Sequence, residues 1–270
     1  MLVPSDTPPT ADVASPRPPE PSPAKNGAPD APTRASVGRA DRIASLIEVL
    51  LCSGFPTQLI VVGALAAAGL TPLASDGGLS LRFVTALSLI DTALLLGLIA
   101  CFVAVRGDDP VQLFLGSRRV GRESVLGLLL VPVVLLTVAG LMLTIQSLAP
   151  WLRNVEENPL ASLLRNGRDV AIFGFVAVVA GGAREEVQRA FVLDRFERHL
   201  GGAWVGLVLF SVAFGLGHLL QGYDAAIVTG FLGLAWGLLY LGRRSVVAPL
   251  VCHAGFNLAE VLHYAWLSPS

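Results

Sequence analysis

Charge is scarce in this 270-residue chain: only 14% of its residues are Asp, Glu, Lys or Arg, and the formal net charge is −1. A balance so near neutral offers no basic face, so no nucleic-acid partner is expected. Cysteine is equally sparse. Cys52, Cys101 and Cys252 are odd in number and sit inside apolar segments, which argues against a disulfide framework and fits small buried hydrophobes. Apolar side chains are what the chain has in excess: 53% of residues are hydrophobic and the mean hydropathy is +0.67, well outside the range of soluble domains. The chain reads as a membrane protein in contact with the lipid bilayer.

Residues 1–39 differ in kind. They hold more than half of the chain's 18 prolines and few large apolar groups, too few to offset the entropy of ordering them, so a disordered tail is expected. The tail has no charged region leading into an apolar one, and so does not read as a secretory signal. From about Asp41 onward the apolar runs approach or exceed the ~20 residues a helix needs to cross a ~30 Å hydrocarbon core. Seven spans are predicted, near residues 44–70, 82–105, 124–148, 169–198, 203–220, 223–241 and 246–267. Long unbroken runs favour helices over the alternating strands of a membrane barrel.

The expected fold is therefore an all-α, polytopic transmembrane helical bundle. Residues 40–165 would form its N-terminal helices and residues 166–270 a second set in which polar residues gather. Four arginine clusters fall on one side of such a bundle: Arg34, Arg39 and Arg42; Arg106, Arg118, Arg119 and Arg122; Arg195 and Arg198; and Arg243 and Arg244, against Arg153, Arg165 and Arg168 on the other. The excess of positive charge assigns the first side to the cytoplasm. A multi-pass protein of a bacterial plasma membrane is the expected location.

Against this background "GGAREEVQRAF", residues 181–191, stands out. A carboxylate at the bilayer centre costs about 3 kcal/mol on insertion scales, and Glu185 and Glu186 are adjacent. As solvated interfacial residues they would pair with Arg184 and Arg189. A tight turn at Gly201 and Gly202 would instead fold the next helix back, bringing His218, in "FGLGH", to about the depth of Glu186. Farther along, "HAGFN" places His253 and Asn257 on one helical face. Each group alone could simply bridge helices. Glu185, Glu186, His218, His253 and Asn257 together make a set suited to hydrolysis, with a carboxylate and an imidazole activating water while an amide and the second imidazole stabilise an oxyanion. The same side chains could ligate Zn2+, with Glu186, His218 and His253 as ligands and one position left for water.

A glutamate pair followed by arginine, then Phe-x-x-x-His, then His-x-x-x-Asn, resembles the motif order of the CPBP intramembrane proteases, which include the type II CAAX prenyl endopeptidases and the bacterial Abi proteins. The motifs read "EEVQR", "FGLGH" and "HAGFN", and the resemblance covers about residues 170–262. It implies an endopeptidase acting on membrane-associated, CAAX-type prenylated proteins or peptides. Glu185 with His218 would activate water, Glu186 would support the site, and His253 with Asn257 would form the oxyanion hole or complete the site. The family has three residues between its second glutamate and the arginine, whereas only Val187 and Gln188 intervene here. Arg189 is therefore expected about 100° away from the family position, with a lesser role. The competing reading is a proton-coupled transporter or a scaffold, for which Glu48 and Asp91, in the first two spans, would serve a proton relay.

Overall fold

Apolar runs that must satisfy their own backbone hydrogen bonds fold as helices, and the computed structural model describes residues 38–267 in this way. The tail expected at residues 1–39 lies outside the described residues except for its last two. Helical backbone forms seven stretches with no strand among the described residues, an all-α bundle. In chain order they comprise α1 (Arg39–Leu51) and α2 (Phe55–Ala67); α3 (Leu81–Arg106); a π turn (Val111–Leu115) leading towards α4 (Val120–Leu148); α5 (Gly167–Val176), a π-helical segment (Ala177–Arg184) and α6 (Glu185–His199); α7 (Ala203–Leu216); α8 (Tyr223–Arg243); and α9 (Val247–Leu267).

These stretches coincide with the seven predicted runs, but four are both long and apolar enough to cross a membrane: Arg39–Ala67, Leu81–Arg106, Val111–Leu148 and Tyr223–Arg243. Helix α7 has 14 residues, about 21 Å at 1.5 Å per residue, and does not alone traverse a hydrocarbon core. Its predicted extension to residue 220 is corrected by a stop at Leu216. The first predicted span is also broken. Gly54 adopts a left-handed φ of 86° and Pro56 opens α2, so the chain turns where hydropathy alone reads continuous helix.

The other ends follow local chemistry. The Ser80 hydroxyl accepts from the Phe83 amide to start α3, and Gly107 stops it in the left-handed region. Asn166 caps α5 by accepting from the amides of Arg168 and Asp169. Gly201 and Gly202, at φ 104° and 106°, make the turn expected between α6 and α7.

Pro249 lies in the first turn of α9, where its missing N–H leaves no bond unmade. The turn before it is drawn into the bundle. Ser245, Val246 and Ala248 are buried, and the Val246 amide donates to the Phe114 carbonyl at 2.7 Å.

At the centre lies α6, packed by α1, α3, α7 and α8, while α9 lies against α4 and the π segment. One face of α6 enters an apolar core of Leu95, Ile99, Phe191 and Val192. Its polar residues are matched by charge. Arg195 reaches Glu48 of α1 at 2.6 Å and Asp108 at 2.7 Å, and Arg106 of α3 reaches the other oxygen of Glu48 at 2.7 Å. At the same end Arg243 pairs with Glu123, Arg118 donates to the Arg243 carbonyl, and Arg244 pairs with Glu197. The arginine clusters thus meet at one end of the bundle.

That arrangement predicts that Arg119→Cys and Gly242→Cys, both at exposed positions, react with a membrane-impermeant thiol reagent from the same side. The measurement uses a Cys101→Ala background, since Cys101 is the exposed native thiol. Labelling from opposite sides would require the spans to be redrawn.

Candidate active site

The two glutamates stand at the start of α6, immediately after eight residues of π-helical backbone. This wider helix, of a kind frequent at functional sites, is packed closely by α9. A Cβ added to Gly182 would lie 2.7 Å from the Ala254 Cβ and 2.9 Å from its Cα, so glycine is what lets the two backbones approach. The Asn257 amide reaches across the same contact, its Nδ2 donating to the Ala177 carbonyl at 3.2 Å.

Close approach brings His253 onto the glutamates. Its Nδ1 lies 2.8 Å from Glu186 Oε1, and its Nε2 lies 3.7 Å from Glu185 Oε2. Since the carboxylate accepts, Nδ1 carries a proton and Nε2 is turned towards Glu185. The ring is fixed from the side by Trp236, whose indole stacks on it at a centroid separation of 3.7 Å and an interplanar angle of 17°.

Behind Glu186 stands Arg189, which is fully buried and paired with the same Oε1. The shortened spacing does not turn Arg189 out of the site. At i+3 its side chain comes back over Glu186, and the guanidinium carbon lies 4.9 Å from the Phe214 ring centroid, 5.2 Å from Phe210 and 5.8 Å from Trp236. Arg189 Nε and Nη2 have no hydrogen-bond partner, and the aromatic faces around them supply the compensating attraction. The Arg189 guanidinium is thus held at Glu186 despite its shifted position along the helix.

His218 is not within a helix. It follows the stop of α7, at φ −104° and ψ 9°, ahead of a short 3-10 turn. Its Nδ1 lies 2.8 Å from the Phe214 carbonyl, which can only accept, so the proton sits on Nδ1 and Nε2 keeps its lone pair. His218, Glu185, His253 and Asn257 line one cavity of about 480 Å3. Glu186 is not among the lining residues and is occupied by Arg189 and His253. Four of the five expected residues thus share a chamber, and the fifth stands behind its wall.

A resident zinc ion needs three protein donors converging at about 2.0–2.2 Å from one point. Among the described residues no three His, Cys, Asp or Glu side chains form such a group. Glu186, one of the expected ligands beside His218 and His253, already has its ring and guanidinium partners. The donors as arranged do not fit the ion, and no step is derived through it.

The two carboxylates that a proton relay would use, Glu48 and Asp91, are held in ion pairs. Glu48 joins Arg106 and Arg195 outside the cavity lining, whereas Asp91 lies in the cavity wall, 2.6 Å from Arg184 Nη2. Sequence reasoning assigned no place in the site to Arg184 or Trp236. A cation next to two acids within an apolar run was the available signal for Arg184. Nothing in the sequence distinguishes Trp236 from an ordinary core aromatic.

Residues 167–259 match the family model of the type II CAAX prenyl endopeptidase Rce1-like proteins. The match covers about a third of the chain, from the start of α5 to Ala259 of α9. No curated protein and no solved structure matches the chain. The matched segment carries all five expected site residues, and its likeness supports intramembrane peptidase chemistry in a membrane protein.

The buried pair makes Arg189 a sensitive point. Arg189→Ala leaves Glu186 without its cation, and breaking a buried pair in this way destabilises by about 3–5 kcal/mol. The expected result is a clearly lowered thermal midpoint in detergent. An unchanged midpoint would show that Glu186 does not depend on Arg189.

Proposed function

We propose that the protein is a multi-pass intramembrane endopeptidase, in the reading a bacterial plasma-membrane enzyme, that hydrolyses peptide bonds of membrane-associated proteins, with CAAX-type prenylated chains as the substrate class. The observation that carries this is the convergence of Glu185, His218, His253 and Asn257, from three parts of the fold, on one cavity. The motif match over residues 167–259 supports it.

In this reading a water molecule held between Glu185 and His218 Nε2 attacks the scissile carbonyl carbon and gives a proton to the carboxylate. The resulting oxyanion is met by the free N–H of the Asn257 amide and by Nε2–H of His253 in its imidazolium form, whose Nδ1–H stays on Glu186. Collapse of the tetrahedral species breaks the C–N bond, and the proton returns from Glu185 to the leaving amine. Glu186 acts through His253: held by Arg189, it fixes the ring that faces Glu185. Donor geometry favours this metal-free route over zinc. The two carboxylates named for a proton relay, Glu48 and Asp91, are both salt-bridged, which counts against the transporter reading.

Glu185→Gln and His218→Ala should each lower turnover by about 10²-fold or more, and Asn257→Ala by about 10²-fold, with the protein still inserted and folded. Comparison of membrane proteomes from cells carrying the wild type or Glu185→Ala should reveal accumulated uncleaved substrate. Normal turnover by Glu185→Gln would refute the assignment of the base. Chelator treatment should leave turnover unchanged, and loss of activity restored by added Zn2+ would return the metal to the mechanism.

A further inference from the structure

Arg184 is a cation placed directly before Glu185, buried to nine-tenths, in the wall of the chamber that Glu185 also lines. Consecutive helical residues do not face one another, and Arg184 is drawn the other way. Its Nη2 meets Asp91 Oδ2 of α3 at 2.6 Å, and Thr57 of α2 donates to the other oxygen, Asp91 Oδ1, at 2.5 Å. Space for the guanidinium comes from Gly54, where an added Cβ would lie 2.7 Å from Nη2. Arg184 Nε is buried without a partner. Gly54, Thr57 and Asp91 all lie outside the segment that matches the family model. Three residues from the N-terminal part of the chain are thus built around one arginine of the site.

We propose that Asp91 is a positioning residue that sequesters the Arg184 guanidinium, keeping it off the Glu185 carboxylate. The inference rests on the reading of Glu185 as the base. The carboxylates lining the chamber are Asp91, Glu185 and Glu260. The other polar groups close to Glu185 are already engaged: Glu186 holds Arg189 and the His253 ring, while the neutral His218 ring is tied to the Phe214 carbonyl. In a poorly solvated chamber the attraction between opposite charges is many times that in water. With Asp91 neutralised, Arg184 has a long side chain, an unpaired nitrogen and the adjoining Glu185 carboxylate to capture. An ion pair between Arg184 and Glu185 would take the base out of reaction. Asp91 prevents that pairing, and Thr57 holds Asp91 to the task.

The test uses the full-length protein in proteoliposomes and a fluorogenic farnesylated peptide ending in a CAAX-type tetrapeptide. Asp91→Asn should lower kcat by about tenfold or more with KM little changed, the pattern of a lost transition-state group. Adding Arg184→Gln to that variant should recover most of the lost kcat, since no cation remains to capture Glu185. Asp91→Glu should retain activity. Thr57→Val, which keeps every charge, should show a smaller loss and serves if Asp91→Asn does not insert. A purely structural pair gives the opposite pattern, with the double variant no better than Asp91→Asn, and that result would overturn the proposal. So would undiminished kcat in Asp91→Asn. A crystal structure of Asp91→Asn decides the point without activity: Arg184 against Glu185 supports sequestration, and Arg184 still turned to position 91 refutes it. A wild-type protein that leaves the peptide intact would count against the peptidase reading, while the structural arm still decides the role of Asp91.

Discussion

Glu186 is the point through which the bundle is tied together. Its carboxylate, 1% exposed, receives Arg189 from its own helix and the His253 ring from α9. An isolated carboxylate at this depth would be strongly disfavoured, so α9 must come close enough for His253 to reach it. That demand explains the glycines of the π segment, since any side chain at Gly182 meets the α9 backbone. It also explains the aromatic setting of Arg189, whose unpaired nitrogens face Phe210, Phe214 and Trp236. Trp236 completes the arrangement by covering one face of Arg189 and stacking on the His253 ring.

The same logic extends along α6, which is central and yet carries buried Gln188, Asp194 and Arg195. Asp194 is met by Arg195 and Arg198 of its own helix, and the other two are answered from outside it. The break between α1 and α2 leaves the Cys52 carbonyl to accept from Gln188 Nε2 at 2.8 Å, and Glu48 of α1 meets Arg195. Removing a partner from such a pair is far more destabilising than the pair is stabilising. The N-terminal helices therefore form a charge-complementary sleeve around a helix that lipid would not accept.

Much of this was legible as pattern. Apolar runs near the length of a bilayer crossing locate the helical stretches, and polar residues inside such runs mark Glu185, Glu186, His218, His253 and Asn257, because their burial has no apolar rationale. Hydropathy is blind to φ, however, so the turn at Gly54 and the stop before His218 were read as helix. Ideal 1.5 Å depth arithmetic cannot see a π segment, nor a turn such as Ser245–Val246 drawn inside the bundle. Helical phase alone placed Arg189 off the site, whereas a long flexible side chain at i+3 from a buried anion follows the charge. The pairing of Arg184 with Asp91 joins residues 93 positions apart, and no local spacing rule reaches that far.

The irregular backbone is where the chemistry is oriented. A carbonyl within a regular α-helix is matched to the amide four residues on, but α7 stops before the Phe214 carbonyl finds such a partner, since the His218 amide bonds to Gly215 instead. Phe214 is then left to hold His218 Nδ1 and so to set its tautomer. In the π segment the Ala177 carbonyl likewise accepts from Asn257. Non-helical backbone at membrane depth is tolerated where it borders a cavity and not where it meets lipid, and both departures border this one. The chamber and the irregularities thus require each other: the cavity shelters the broken backbone, and the broken backbone aims the side chains that line the cavity.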